Sequence, residues 1–217
     1  MLAYLALHRH AVARDDLADL VWPEALTASW ERDLSAVVSK VRAALDAIGL
    51  GSILPGALGC YELRLPPGAA VDVEDAVRFV EDAEAAWRAG DRDAALPAAA
   101  TAAGLARRPF LPGERGLWVE GRRDELRTTL LRALDLLAEG LAGGSFEHDA
   151  MRYAREAVAL DRFRETSYVR LMRLHMSRGN RGEALRTYEE CRSVLARELG
   201  VSPSPQTEAA YREMLGP

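Results

Sequence analysis

Five polar side chains on one expected helix have the types and spacing to grip a polyanion. Over about 29–48, the face opposite Leu34, Val38, Val41 and Leu45 carries Arg32, Ala36, Ser39, Lys40 and Ala43, flanked by Ser35 and Arg42. A helix reads DNA when one face packs on its own module and the other enters the major groove. Small residues let such a helix sit deep. Ser39 can hydrogen-bond a base edge or a phosphate, and Arg32 and Lys40 can reach phosphates. A hairpin around Gly56 to Gly59 would serve as a wing beside it. The same face also reads as an ordinary solvated surface bearing two cations. Charge favours that plainer reading: the net charge is −5, and the first 66 residues hold six Arg or Lys against eight Asp or Glu. A dedicated nucleic-acid binder usually has a basic excess. Half of those acids, Asp15, Asp16, Asp19 and Glu24, cluster on the preceding helix and the turn after it, which leaves the outer face of 29–48 locally positive.

Other chemistries find no footing. No glycine-rich loop is followed by Lys and Ser or Thr, so no phosphate cradle of the nucleotide-hydrolase type is expected. His8 and His10 have no acid or thiolate at metal-ligand spacing and read as capping residues at a helix end. His148, at a helix start, and His175, on a helix, read as solvated. Cys60 and Cys191 lie far apart, form no disulfide or zinc pattern, and lack the His–acid partners of a nucleophile. The expectation is a protein that binds rather than catalyses, with no cofactor and no metal.

The elements that would position the polar face follow from periodicity. An apolar first helix spans about 2–7, and Val12 to Trp22 reads as a short amphipathic helix stopped by Pro23. A polar turn leads into the helix 29–48, whose Leu34, Val37, Val38, Val41, Leu45 and Ile48 follow a 3.6-residue period and which Gly49 ends. Ile53-Leu54 and Tyr61 to Leu65 read as two strands around Pro55 to Gly59. Helix, turn, longer amphipathic helix and β-hairpin is the order of a winged helix-turn-helix. Pro66-Pro67-Gly68 punctuates its end, and helices alone follow, at about 73–89, 91–106, 117–142, 147–160, 164–178, 181–198 and 204–215.

Those helices contain a repeat. Ala150 to Ala157 and Ala184 to Cys191 are similar and lie 34 residues apart. That is the period of tetratricopeptide hairpins, which bury their apolar faces only by stacking. Gly90-Asp91-Arg92-Asp93-Ala94-Ala95-Leu96 echoes Gly179-Asn180-Arg181-Gly182-Glu183-Ala184-Leu185, with Gly ending one helix and Ala-Leu packing inside the next. Abundant alanine and only 6% aromatic residues suit close-packed helices. Within the turn-rich segment Phe110 to Val119, Phe110 and Trp118 read as anchors into the core, or as a partner contact. No apolar run approaches a membrane span, and no signal peptide is seen. A cytoplasmic protein without membrane contact is expected.

Several of these segments resemble the Streptomyces antibiotic regulatory protein family. Arg14 to Pro23 is similar to the second helix of its winged module, Leu34 to Leu45 to its recognition helix, and Gly59 to Leu63 to the returning strand of its wing. Phe110-Leu111-Pro112-Gly113 with Trp118-Val119-Glu120, and Glu198 to Thr207, resemble the bacterial transcriptional activator domain that follows. The resemblance implies a mainly α fold: a winged helix-turn-helix over 1–67, then a tetratricopeptide-like all-α domain over 71–217. It implies an activator that binds promoter DNA, contacts RNA polymerase or another protein, and can form a homodimer. By position, the DNA-facing residues are Arg32, Ser35, Ser39, Lys40, Arg42 and, in the wing, Gly59. The family's module opens with a small antiparallel sheet, whereas this sequence starts at Met1-Leu2-Ala3-Tyr4-Leu5 inside the first helix. The N-terminal sheet is therefore expected to be missing. That leaves two expectations open, a truncated start or a module retained for structure or dimerisation.

Overall fold

The computed structural model describes residues 1–24, 26 and 28–216. It divides into two compact units, Met1–Glu74 with Leu111–Glu120, and Asp75–Phe110 with Gly121–Pro217.

The first unit holds α1 (Leu2–Leu7), β1 (Val12–Ala13), α2 (Arg14–Val21), α3 (Trp30–Asp46), a 3₁₀ turn at Gly51–Ile53, β2 (Gly56–Ala57) and β3 (Cys60–Tyr61). Leu5, Leu17, Leu34, Val38, Leu54 and Leu63 fill its core. The periodicity places α3 well, but Ile48 lies beyond the last turn, where the chain has left the helical path, and is 69% exposed. The polar turn before α3 includes Ala25 and Thr27, which lie outside the described residues.

Two details correct the sequence reading. Val12 and Ala13, expected at the start of a helix, instead form a strand antiparallel to β3, pairing Val12 with Tyr61 and Ala13 with Cys60. The sheet order is β1-β3-β2. A two-residue strand has no period to read, and its partner is nearly fifty residues away. The wing's regular strands are also shorter than expected, because Ile53 belongs to the 3₁₀ turn. Pairing nevertheless continues past them, with Glu62 N donating to Pro55 O (3.3 Å) and Arg64 N to Ile53 O (2.7 Å).

The second unit is helical, with the first residues of α4 and α6 counted in the first unit: α4 (Asp72–Arg88), α5 (Arg92–Ala106), α6 (Leu117–Gly140), α7 (Glu147–Leu160), α8 (Glu165–Ser177), α9 (Arg181–Val194), a π segment at Leu195–Leu199, and α10 (Pro205–Leu215). The two sequence echoes fold alike. Gly90 and Gly179 adopt φ of +79° and +71°, a left-handed conformation that glycine tolerates without Cβ crowding. In both turns the next amide reaches back five residues, Asp91 N to Ala86 O (3.0 Å) and Asn180 N to His175 O (2.9 Å). These bonds satisfy helix-end carbonyls that would otherwise lack partners. Ala95 and Ala184 are then fully buried at equivalent places.

The 34-residue repeat places its two copies on α7 and α9, with α8 packed against both and α10 packed on α8 and α9. Ala150, Met151, Ala154, Tyr168, Leu171, Met172, Ala184 and Tyr188 form their shared core. Alanine at these contacts lets helix axes approach closely, as its abundance predicts. Among the described residues, no helix is long and apolar enough to cross a membrane.

His175 departs from expectation. It shares the inner face of α8 with Tyr168, Leu171 and Met172, at helical spacings of seven, four and three residues, and is only 5% exposed. Its Nδ1 is buried without a hydrogen-bond partner. Desolvation lowers its pKa from the ordinary 6.5, aided by the nearby Arg155. His148, by contrast, is exposed.

Candidate nucleic-acid interface

The amphipathic pattern of α3 becomes two distinct faces. Leu34, Val38 and Leu45 are buried, whereas Arg32, Ala36, Ser39, Lys40 and Ala43 are exposed. Among the described residues, neither the Arg32 nor the Lys40 side chain has an ion-pair or hydrogen-bond partner. Ser39 Oγ donates to Ser35 O (2.8 Å), and a hydroxyl oxygen that donates can still accept. At the helix start, Ser29 Oγ donates to Asp33 Oδ2 (2.9 Å), and Glu31 shares the first turn. Negative charge is favourable there, because the first amides of a helix carry partial positive charge.

The flanking pair is engaged inside the unit. Arg42 Nε donates to Leu54 O (3.0 Å), and its guanidinium lies 5.7 Å from the Tyr61 ring centre, against the wing. Ser35 Oγ donates to Glu31 O (2.7 Å) and accepts from Arg14 Nη2 (3.0 Å). Arg14 Nη2 also donates to Glu31 O, while the Arg14 backbone amide donates to Gly59 O (3.0 Å). Thus Arg14, which the sequence reading passed over, joins α3 to the wing: its side chain holds the helix and its amide holds the turn. Its partners lie 17 to 45 residues away, so no local pattern reveals it.

The wing closes through Leu58 and Gly59, with φ of +52° and +76°. Positive φ at both central residues is the mark of a type I′ hairpin turn, where Asn-Gly is favoured. An L-residue with a large side chain pays about 1–2 kcal/mol in this region. Gly59 meets the requirement freely; Leu58 does not.

Along α1 and in the 111–120 segment, aromatic side chains gather. His8 Nδ1 donates to Tyr4 O (2.8 Å) and its ring stacks on Tyr4 at 3.8 Å, while Trp118 meets Tyr4 edge-on at 5.1 Å. Trp118 is half-buried and Val119 is buried, so this segment packs within the first unit. Among the described residues, no group of three or more His, Cys, Asp or Glu is placed to hold a metal ion. Cys191 is buried, and burial pushes its thiol up to about 12, well outside the range of a reactive thiolate at neutral pH.

Residues 71–215 match the family described as the bacterial transcriptional activator domain. The chain belongs to that family. Its fold is also that of a solved Mycobacterium tuberculosis protein, EmbR, determined in complex with a low-affinity phosphopeptide. That match has a TM-score of 0.84 at 21% identity and covers 98% of this chain and 58% of EmbR. The chain therefore spans less than two thirds of that protein's length. The C-terminal TPR-containing domain of a Plasmodium falciparum protein named as FK506-binding matches 66% of the chain at a TM-score of 0.50 and 12% identity, covering 88% of its own length. At these identities both likenesses speak to fold alone. They agree with a mainly α architecture that includes tetratricopeptide-like helical repeats. No curated protein matches the sequence.

Proposed function

We propose that this bacterial transcriptional activator domain protein is a DNA-binding activator of the Streptomyces antibiotic regulatory protein kind. In this reading residues 1–67 bind promoter DNA and residues 71–217 contact RNA polymerase or another protein, as a monomer or a homodimer in the cytoplasm. The observation that carries it is α3: one face is sealed in the core, and the other presents Arg32, Ser39 and Lys40 with its two cations uncommitted. Phosphate neutralisation by such cations supplies the sequence-independent part of DNA affinity, and base-edge contacts add the specificity. Ser35 and Arg42 support the interface in a different way. Held by Arg14 and Leu54 O, they fix α3 and the wing, and the wing's Gly59 carbonyl is bound by the same Arg14.

That internal engagement of Ser35 and Arg42 is also what favours the competing reading, a helical-repeat interaction module whose winged unit no longer touches DNA. Selection separates the two. The purified chain is used to enrich binding duplexes from a random library, and the enriched site is placed upstream of a weak promoter in a transcription assay with bacterial RNA polymerase. Enrichment of a defined sequence and stimulated transcription are expected. Failure to enrich any sequence would contradict the regulator reading and favour the interaction module.

A further inference from the structure

We infer that Leu58, at the tip of the wing, is an apolar wedge that enters the minor groove of bound DNA and presses against a base step. The inference deepens the DNA-binding reading and rests on it. Leu58 is fully exposed, at 102% of its reference area. It also occupies the first central position of a type I′ turn, at φ +52°, where glycine or asparagine would be more stable. The side chain thus costs stability in the backbone and recovers none by packing. Strain of this kind persists where a site needs it.

The surroundings indicate which partner it suits. Gly56, Ala57 and Gly59 beside it are small and exposed, so the tip is slender and carries a single large apolar group. A protein partner would need a patch of about 800 Å² on each side, which this tip does not offer. The minor groove is about 6 Å wide, so a slender tip with one large side chain suits it better than a broad surface does. Leucine and methionine are among the side chains that insert between base steps and kink the duplex. The tip is held in register with α3, which in the proposed reading enters the neighbouring major groove. Arg14 binds Gly59 O through its amide, and Ser35 Oγ and Glu31 O on α3 through its guanidinium. A wedge at Leu58 would therefore act at a fixed distance from the contacts of Arg32 and Lys40.

The test uses the duplex enriched by the wild-type chain, with 2-aminopurine substituted in turn at successive steps, and the variants Leu58→Asn, Leu58→Met and Lys40→Ala. Leu58→Asn should raise the melting temperature, because the turn relaxes, and yet weaken binding to the selected duplex about tenfold. The wild type should produce a 2-aminopurine fluorescence increase at one step beneath the wing, which Leu58→Asn abolishes and Leu58→Met retains. If Leu58→Asn binds as the wild type does and no step unstacks, while Lys40→Ala weakens binding, the wedge is overturned and the DNA reading stands. Normal binding by Leu58→Asn with lost transcriptional stimulation would overturn it in favour of a polymerase contact. If the wild type enriches no duplex, both readings fall together.

Discussion

The two units use arginine differently. In the helical unit many guanidinium groups are consumed by the fold. Arg107 makes a two-pronged contact with Glu156 (2.6 and 2.8 Å), and Arg132 does the same with Glu84 (2.7 Å each). Asp135 receives both Arg164 and Arg170 at 2.5 Å. In the winged unit Arg14 and Arg42 serve as internal ties, but among the described residues the Arg32 and Lys40 side chains on α3 have no ion-pair or hydrogen-bond partner. The contrast explains how a chain of net charge −5 can still present a polyanion-binding face. Part of its positive charge is neutralised where it builds structure, and part is left open on the outer face of α3.

Core substitutions should show the largest effects and the least difference between the units. Met172→Ala and Leu34→Ala each remove a side chain that is fully buried, at a cost of about 2–5 kcal/mol measured by urea denaturation. The charge comparison is sharpened by Asp135→Ala. It removes the shared carboxylate of two partly buried guanidinium groups and should cost about 2 kcal/mol, less than a fully buried pair because Arg164 keeps Ser167, Arg170 keeps Glu139 and both keep some contact with water. Little or no loss would mean the helical unit does not depend on its internal charge pairs.

Acid should act through groups of the helical unit. His175 is held neutral by burial, with a folded pKa below the unfolded 6.5. The unfolded chain therefore binds the extra proton first as pH falls below 6.5, and stability drops from that point down through the folded pKa. His175→Leu should flatten this part of the urea-midpoint profile between pH 7.5 and 5.5. Glu84 adds a second loss at lower pH. Its hydrogen bond from Arg132 holds its carboxyl below the ordinary 4.5, so the stability it contributes is complete above 4.5 and disappears as pH falls through the folded value. The smallest effect on folding belongs to Arg32→Ala and Lys40→Ala, each within about 0.5 kcal/mol of the wild type, because neither side chain has an internal partner. A larger loss from either would break the contrast between the two units.

The helices were legible in the sequence because each long element repeats its apolar positions, and the glycines at 49, 90 and 179 mark where three of them end. The outward face of α3 was legible for the same reason. What escaped reading depends on distant partners. Val12 and Ala13 become a strand only because Tyr61 and Cys60 come alongside, and Arg14 becomes a tie only because Ser35, Glu31 and Gly59 converge on it. His175 looked solvated as a residue type, although its spacing from Leu171 and Met172 already placed it on the buried face. Leu58 falls between two short strands, and only its backbone angle reveals the cost of having a leucine there.

The most direct measurement of the central claim is fluorescence anisotropy of the chain on its selected duplex across a salt series, with the Arg32→Ala and Lys40→Ala variants alongside. If these two cations bind phosphates, log affinity falls linearly with log salt, and each substitution reduces the slope by about 1 while weakening binding to all sequences alike. Affinity insensitive to salt, or slopes unchanged by both substitutions, would show that α3 is not the face that meets DNA.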